Sequence, residues 1–172
     1  MKILIFGIVA SGKTTLAQKL SNELKVPYYE GDNIAWGFPK EKRYKRSNEE
    51  QEEIIEKINK KGNWIVEGTY RESQKVLYKY ADKIIFLDTP LYIRKFRIIY
   101  RFIKQQLGIE KCNYKSDFNM LKHMFKWSND FENKRKEYEE RLMEYSDKLI
   151  WIKNSKELDG NYKVLLQTKR KI

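Results

Sequence analysis

The stretch FGIVASGKTTLAQKL, from Phe6 to Leu20, limits the fold of this chain more than any other. Gly7, Gly12, Lys13 and Thr14 satisfy the pattern GxxxxGK followed by Ser or Thr. The apolar run Ile3 to Phe6 precedes them, and Thr15, Leu16, Ala17 and Leu20 follow at helical spacing. A strand therefore runs into a tight loop and out into a helix. Glycines let such a loop turn its N–H groups inward onto phosphate oxygens, and the helix N-terminus adds partial positive charge. Gly7, Ala10, Ser11, Gly12, Lys13, Thr14 and Thr15 are the expected phosphate-binding residues, with Lys13 on the β- and γ-phosphates and Thr14 on Mg²⁺.

At 172 residues the chain can fill one core, so a single domain over 1–172 is expected. Lys2 followed by ILIFGIVA has the outline of a secretory signal, but cleavage there would destroy the loop. The single Cys112 cannot form an internal disulfide, and no apolar run approaches the roughly 18 residues of a membrane span. A soluble, cytoplasmic protein without membrane contact is expected. The net charge of +12 is unevenly placed: Leu91 to Lys136 holds twelve Lys and Arg against four Asp and Glu, a net +8. Such a patch either closes over a nucleotide's phosphates or binds a polyanion.

Periodicity predicts strands at 2–6, 26–29, 63–67, 83–88 and 148–152. It predicts helices at 13–25, 47–61, 90–107, 117–128, 131–146 and 155–167. Strands alternating with helices imply a parallel sheet covered on both faces. Pro27, Pro39 and Pro90 fall at element boundaries, as residues that cannot sit inside helices or central strands should.

Phosphoryl transfer needs a carboxylate near the metal, a group that positions the acceptor, and cations facing the transferring group. WIVEG and IIFLD are apolar strands ending in Glu67 and Asp88, and the carboxyl ends of strands form the ligand crevice of an open α/β sheet. Both are candidates for the metal; Asp88 is equally well placed to cap the next helix. Asp32, in YYEGDNIAW, is the candidate for positioning or deprotonating the acceptor, with an Asx-turn or helix cap as the competing role, and Gly31 permits a sharp turn before it. Arg94, Arg97, Arg101 and Lys104 recur at spacings of three, four and three, while Tyr92, Phe96, Ile99 and Ile103 form a second stripe roughly opposite. The basic stripe is either a solvated face or a phosphate clamp, with Lys134, Arg135 and Lys136 as a second jaw. His123, among Met120, Met124 and Phe125, reads as structural, and Trp127, Phe131, Tyr138 and Tyr145 as a helix-packing seam.

In order, GIVASGKTT, GDNIAW, NWIVEGTY, DKIIFLDTP, the arginine-bearing helix and NKRKEY resemble the adenylate-kinase-like P-loop kinases. They resemble more closely the small bacterial proteins described as DNA topology modulation proteins within that superfamily. The resemblance covers most of the chain. It implies an α/β P-loop NTPase fold with a five-stranded parallel sheet in the order 2-3-1-4-5, helices on both faces and a small helical lid at about 105–136. It also implies ATP on the first loop, an acceptor near Asp32 and Gly68, and lid arginines best matched by Arg97, Arg101 and Arg135. An adenine pocket near Lys153 to Ser155 would include Asn154. Adenylate-type kinases carry Asp-Gly-Phe-Pro-Arg after the third strand; here Glu67, Gly68, Thr69, Tyr70 and Arg71 stand there, which leaves the acceptor open.

Two functions remain at this stage. One is an ATP- and Mg²⁺-dependent kinase acting on a nucleotide or another small acceptor, with Lys13, Asp32, Arg97, Arg101 and Arg135 as the catalytic set. The other is a nucleotide-regulated DNA-binding protein whose basic segment contacts phosphates; for the kinase, nucleic acid is possible but not required. A GTPase is disfavoured because the chain contains no DxxG or NKxD.

Overall fold

The computed structural model describes residues 1–37, 43–110 and 116–158. The first strand, β1 (Lys2–Phe6), runs through the glycine loop into α1 (Lys13–Leu24). Next come β2 (Tyr28–Glu30), the short α2 (Gly31–Ala35), and a two-stranded antiparallel hairpin of β3 (Trp36–Gly37) and β4 (Tyr44–Lys45). Then follow α3 (Asn48–Lys60), β5 (Trp64–Gly68), a 3₁₀ turn at Glu72–Gln74, α4 (Val76–Tyr80) and β6 (Lys83–Leu87). The chain continues through α5 (Leu91–Gln106), α6 (Phe118–Asn133), α7 (Arg135–Met143), β7 (Leu149–Ile152) and a 3₁₀ turn at Ser155–Leu158.

Five strands form one parallel sheet in the order β2-β5-β1-β6-β7. Counted among themselves they stand 2-3-1-4-5; the labels differ from the expected ones because the hairpin β3–β4 enters the chain between the second and third. Period two explains why β1 reads as a continuous apolar run. Ile3 and Ile5 face Leu16, Ala17 and Leu20 of α1, while Leu4 and Phe6 face Ile55 of α3, Tyr78 of α4, Phe131 of α6 and Leu142 of α7. Trp64, Ile65, Ile84, Ile85 and Phe86 complete the two layers and are fully buried.

The predicted elements on the described residues are present with ends shifted by a few residues, apart from the following differences. The helices α2 and α4, the hairpin and the first 3₁₀ turn are too short to show a period, and tertiary contacts hold them. The helix predicted to stop at 128 runs on to Asn133. The polar WSND run stays helical because the Ser128 hydroxyl, fully buried, accepts from Arg94 at 2.8 Å. The helix predicted over 155–167 begins as the 3₁₀ turn, and its remainder lies outside the described residues, as do Pro39, Cys112 and part of the expected lid.

Gly31 also differs from its expected role, because its φ is not positive and no left-handed turn requires it. Space does: a Cβ there would lie 3.0 Å from Gln74 Oε1 and 3.1 Å from the Glu67 carbonyl oxygen. Gly31→Ala should therefore cost about 1–3 kcal/mol, read as a lower urea midpoint with an unchanged slope.

Candidate functional site

The loop between β1 and α1 is held from three sides. Ala10 and Gly12 take positive φ, of 59° and 97°. The Gly7 N–H donates to the Gly68 carbonyl at 3.2 Å, and a Cβ on Gly7 would meet Ser11 Oγ at 2.6 Å. The Ser11 carbonyl accepts from Thr89 Oγ1 at 2.8 Å and from Arg97 Nη1 at 2.7 Å. Arg97 therefore lies at the loop itself, with Nη1 3.1 Å from where a Gly12 Cβ would be. Thr15 is exposed on the first turn of α1.

Register brings Glu67 to the same place. On the neighbouring strand β5, Glu67 stands opposite Ile5, and Gly68 opposite Phe6. The Thr14 hydroxyl donates to Glu67 Oε1 at 2.7 Å, and Lys13 Nζ lies 3.8 Å from Oε2. Glu67 is buried, and its Oε2 has no hydrogen-bond partner among the described residues. Burial pushes the Glu67 carboxyl above its ordinary range, against the opposing pull of Lys13 and Thr14.

Asp88 is placed otherwise than the strand-end reading expects. Both its oxygens accept from Arg135, at 2.9 Å each, and Trp151 Nε1 donates to Oδ2 at 3.2 Å. Arg135, expected on the lid, is accordingly drawn to the end of β6, where it also bonds Glu132. Arg94 is fully buried beneath this pair and donates to the Thr89 carbonyl, Ser128 and Glu132. Arg101 lines the cavity described below, half-exposed, and pairs with Glu110 at 3.2 Å. Asn154 closes a small turn, its N–H donating to Glu157 and its Oδ1 accepting from Lys156 N–H.

A cavity of about 670 Å³ opens beside the loop, lined by Lys13, Thr14 and Glu67 on one side and by Asp32, Arg71 and Trp36 on another. Asp32 lies in the first turn of α2, exposed, and accepts from Arg71, whose Nη1 is buried without a partner among the described residues. Gly68 lies against Gly31, whose Cα would be 3.6 Å from a Cβ on Gly68. Buried Gln74 donates to the Gly31 carbonyl at 2.9 Å, and buried Gln51 donates to the Arg46 carbonyl at 3.1 Å, bracing the segment that carries Asp32.

Sequence reasoning assigned no site role to Arg71, Trp36 and Arg43, and gave Trp127 a packing role. Arg71 was signalled by its place three residues beyond the strand-end Gly68. Arg43 stacks 4.0 Å from the Trp36 ring across the hairpin, a pairing with no local signal. Phe131, Tyr138 and Tyr145 join the expected seam, but Trp127 leaves it to line the cavity, and His123 is exposed and stacked on that indole.

Among the described residues no three His, Cys, Asp or Glu cluster to hold a metal by themselves, and no helix is long and apolar enough to cross a membrane. Removing the Glu67 charge tests the electrostatics directly. Because the folded-state pKa is raised, ionising this carboxyl costs stability as pH rises through it. Glu67→Gln should therefore raise the nucleotide-free Tm at pH 7 by a few degrees, about 2–4 °C per kcal/mol regained. The gain should vanish near pH 4, where the native carboxyl is itself protonated.

No family model matches the sequence, and no curated protein sequence does. Solved structures do match. The deoxyadenosine kinase of M. mycoides, determined with bound dATP, aligns over 96% of this chain and 96% of its own at 16% identity, with a TM-score of 0.51. The shikimate kinase of Bacteroides thetaiotaomicron aligns over 96% of this chain and 93% of its own at 14% identity, with a TM-score of 0.50. The chain has the fold of P-loop kinases.

Proposed function

We propose that the protein transfers the γ-phosphoryl group of ATP to a small acceptor bearing both a hydroxyl and an anionic or strongly polar group. The observation that carries this is the pairing of Thr14 with the buried Glu67, one of whose oxygens faces Lys13 but accepts no hydrogen bond among the described residues, at the mouth of a cavity with Asp32 and Arg71 on another wall. A hydroxyl and a carboxylate fit Mg²⁺, which takes one or two protein oxygens and fills its shell with water and phosphate oxygens. Mg²⁺ would neutralise charge on the donor phosphates.

Thr14 and Glu67 would hold the metal, and the loop amides with Lys13 the phosphates. Asp88 is assigned instead to positioning Arg135. Arg97 supplies a guanidinium at the loop, where charge spreads over the transferring group. Asp32 accepts from the acceptor's hydroxyl as it attacks, and the spare Nη1 of Arg71 donates to the acceptor's anionic group. Arg101 and the described part of the segment at about 105–136 serve as a lid, with Asn154 beside the base.

The rival polyanion reading loses support from how the basic segment is used. Arg94, Arg97, Arg101 and Arg135 all bond to groups of the protein itself, which leaves the outward charge to lysines such as Lys122, Lys126, Lys134 and Lys136.

The deciding experiment measures ADP formation from ATP and Mg²⁺ with nucleosides, nucleoside monophosphates, small hydroxy acids and DNA ends, with Lys13→Ala as the blank. Acceptor-dependent turnover that disappears in the blank is expected. ATP binding without turnover on any acceptor would overturn the kinase reading. With the acceptor known, Arg97→Ala should lower kcat by about 10³. Arg71→Ala should raise the acceptor KM about tenfold or more, with the ATP KM little changed.

A further inference from the structure

The two stripes of α5 depart from ordinary expectation, because the basic one is anchored inside at the fully buried Arg94 and reaches the phosphate-binding loop at Arg97, while the apolar one is exposed. Tyr92, Phe96, Ile99, Tyr100, Ile103 and Leu107 are 46–73% exposed. The rings of Phe96 and Tyr100 are stacked, 6.2 Å apart and nearly parallel, forming a flat platform. In a chain with 35% charged residues, none of these six positions is charged, although the neighbouring Lys104 ammonium lies 4.6 Å over the Tyr100 ring at one edge. Together the six expose roughly 600–700 Å², and Ile109 and Phe118 extend the area to roughly 900 Å². The largest apolar patch on a typical monomer is about 300–600 Å², whereas a stable interface takes about 800 Å² from each partner.

We propose that this face of α5 is the interface of a homodimer in which two copies of the helix pack antiparallel about a twofold axis between Ile99 and Tyr100. Three features select a second copy as the occupant. The exposed apolar positions are spaced 4, 3, 1, 3 and 4, so the set is symmetric about that midpoint. Tyr92 maps onto the partner's Leu107, Phe96 onto the partner's Ile103, and Ile99 onto the partner's Tyr100. Aromatic knobs at one end of the helix therefore meet branched aliphatic side chains at the other, as an isologous contact requires. The flanking Lys95 and Lys104 are nine residues apart, about 180° around the helix, so antiparallel pairing keeps them on separate edges. Antiparallel packing also opposes the two helix dipoles.

Sedimentation velocity on the full chain between about 1 and 100 µM tests the association. The expected result is a dimer that becomes a monomer, with half the mass, in Phe96→Glu and in Ile99→Glu. Far-UV circular dichroism should stay the same, because neither side chain is part of the core. A wild-type chain that stays monomeric throughout this range overturns the proposal, and so does a dimer that survives both substitutions. Register is tested by oxidising mixtures in a Cys112→Ser background. Tyr92→Cys mixed with Leu107→Cys should cross-link faster than either alone; a dimer without that preference overturns the antiparallel arrangement.

Discussion

The buried Glu67 carboxylate, with the Thr14 hydroxyl on one oxygen and the Lys13 ammonium near the other, is the contact on which the rest of the molecule depends. A carboxylate is costly to bury, and its neighbours here offset only part of that cost. Meeting it requires β5 beside β1 in one register, which places the Gly68 carbonyl where the Gly7 N–H can reach it. The same register sets Gly68 against Gly31, so the end of β2 must arrive there too. Three strand ends thus converge on one polar point, and the glycines at positions 7 and 31, where a Cβ would come within 3.0 Å of a neighbour, are the backbone's accommodation of that crowding.

Charge explains the second half of the architecture. A guanidinium is tolerated inside a protein when its donors are satisfied, and Arg94 finds the Thr89 carbonyl, Ser128 and Glu132. Glu132 is shared with Arg135, which reaches Asp88 with two parallel bonds. Residues on β6, α5, α6 and α7 are thereby tied into one network lying over the aromatic layer of Phe6, Phe86, Phe131 and Tyr138. Part of the positive charge of the segment from Leu91 to Lys136 is used inside the protein, at Arg94 and Arg135, while Lys122, Lys126, Lys134 and Lys136 stay exposed.

What could be read from the sequence was whatever is local or periodic. The β1–loop–α1 unit, the five sheet strands and the three-layer architecture all follow from motif and period. Non-local partners could not be read. Glu67 and Asp88 end near-identical apolar strands, yet one faces Thr14 and the other Arg135, because β5 and β6 lie on opposite sides of β1. The pattern on α5 was visible as two stripes, but hydrophobicity alone would have buried the apolar one. The outcome was decided by acceptors far away in the chain, at Ala10, Ser11 and Ser128. Trp127 left the predicted seam for the same reason, since α6 is turned by the bond from Arg94 to Ser128.

One helix therefore serves two surfaces. On its inner side α5 is fixed by Arg94 to Thr89, by Arg97 to the phosphate-binding loop, and by Ile98 in a small cluster with Ala10 and Met124. An α-helix of 16 residues transmits displacement along its length with little bending. A partner seated on the outer stripe would act on the same rigid body that carries Arg97 to the loop. The loop carbonyl of Ser11, shared between Thr89 and Arg97, is the point where such a displacement would first be felt, because both donors reach it within 2.8 Å and neither has slack to follow the helix independently.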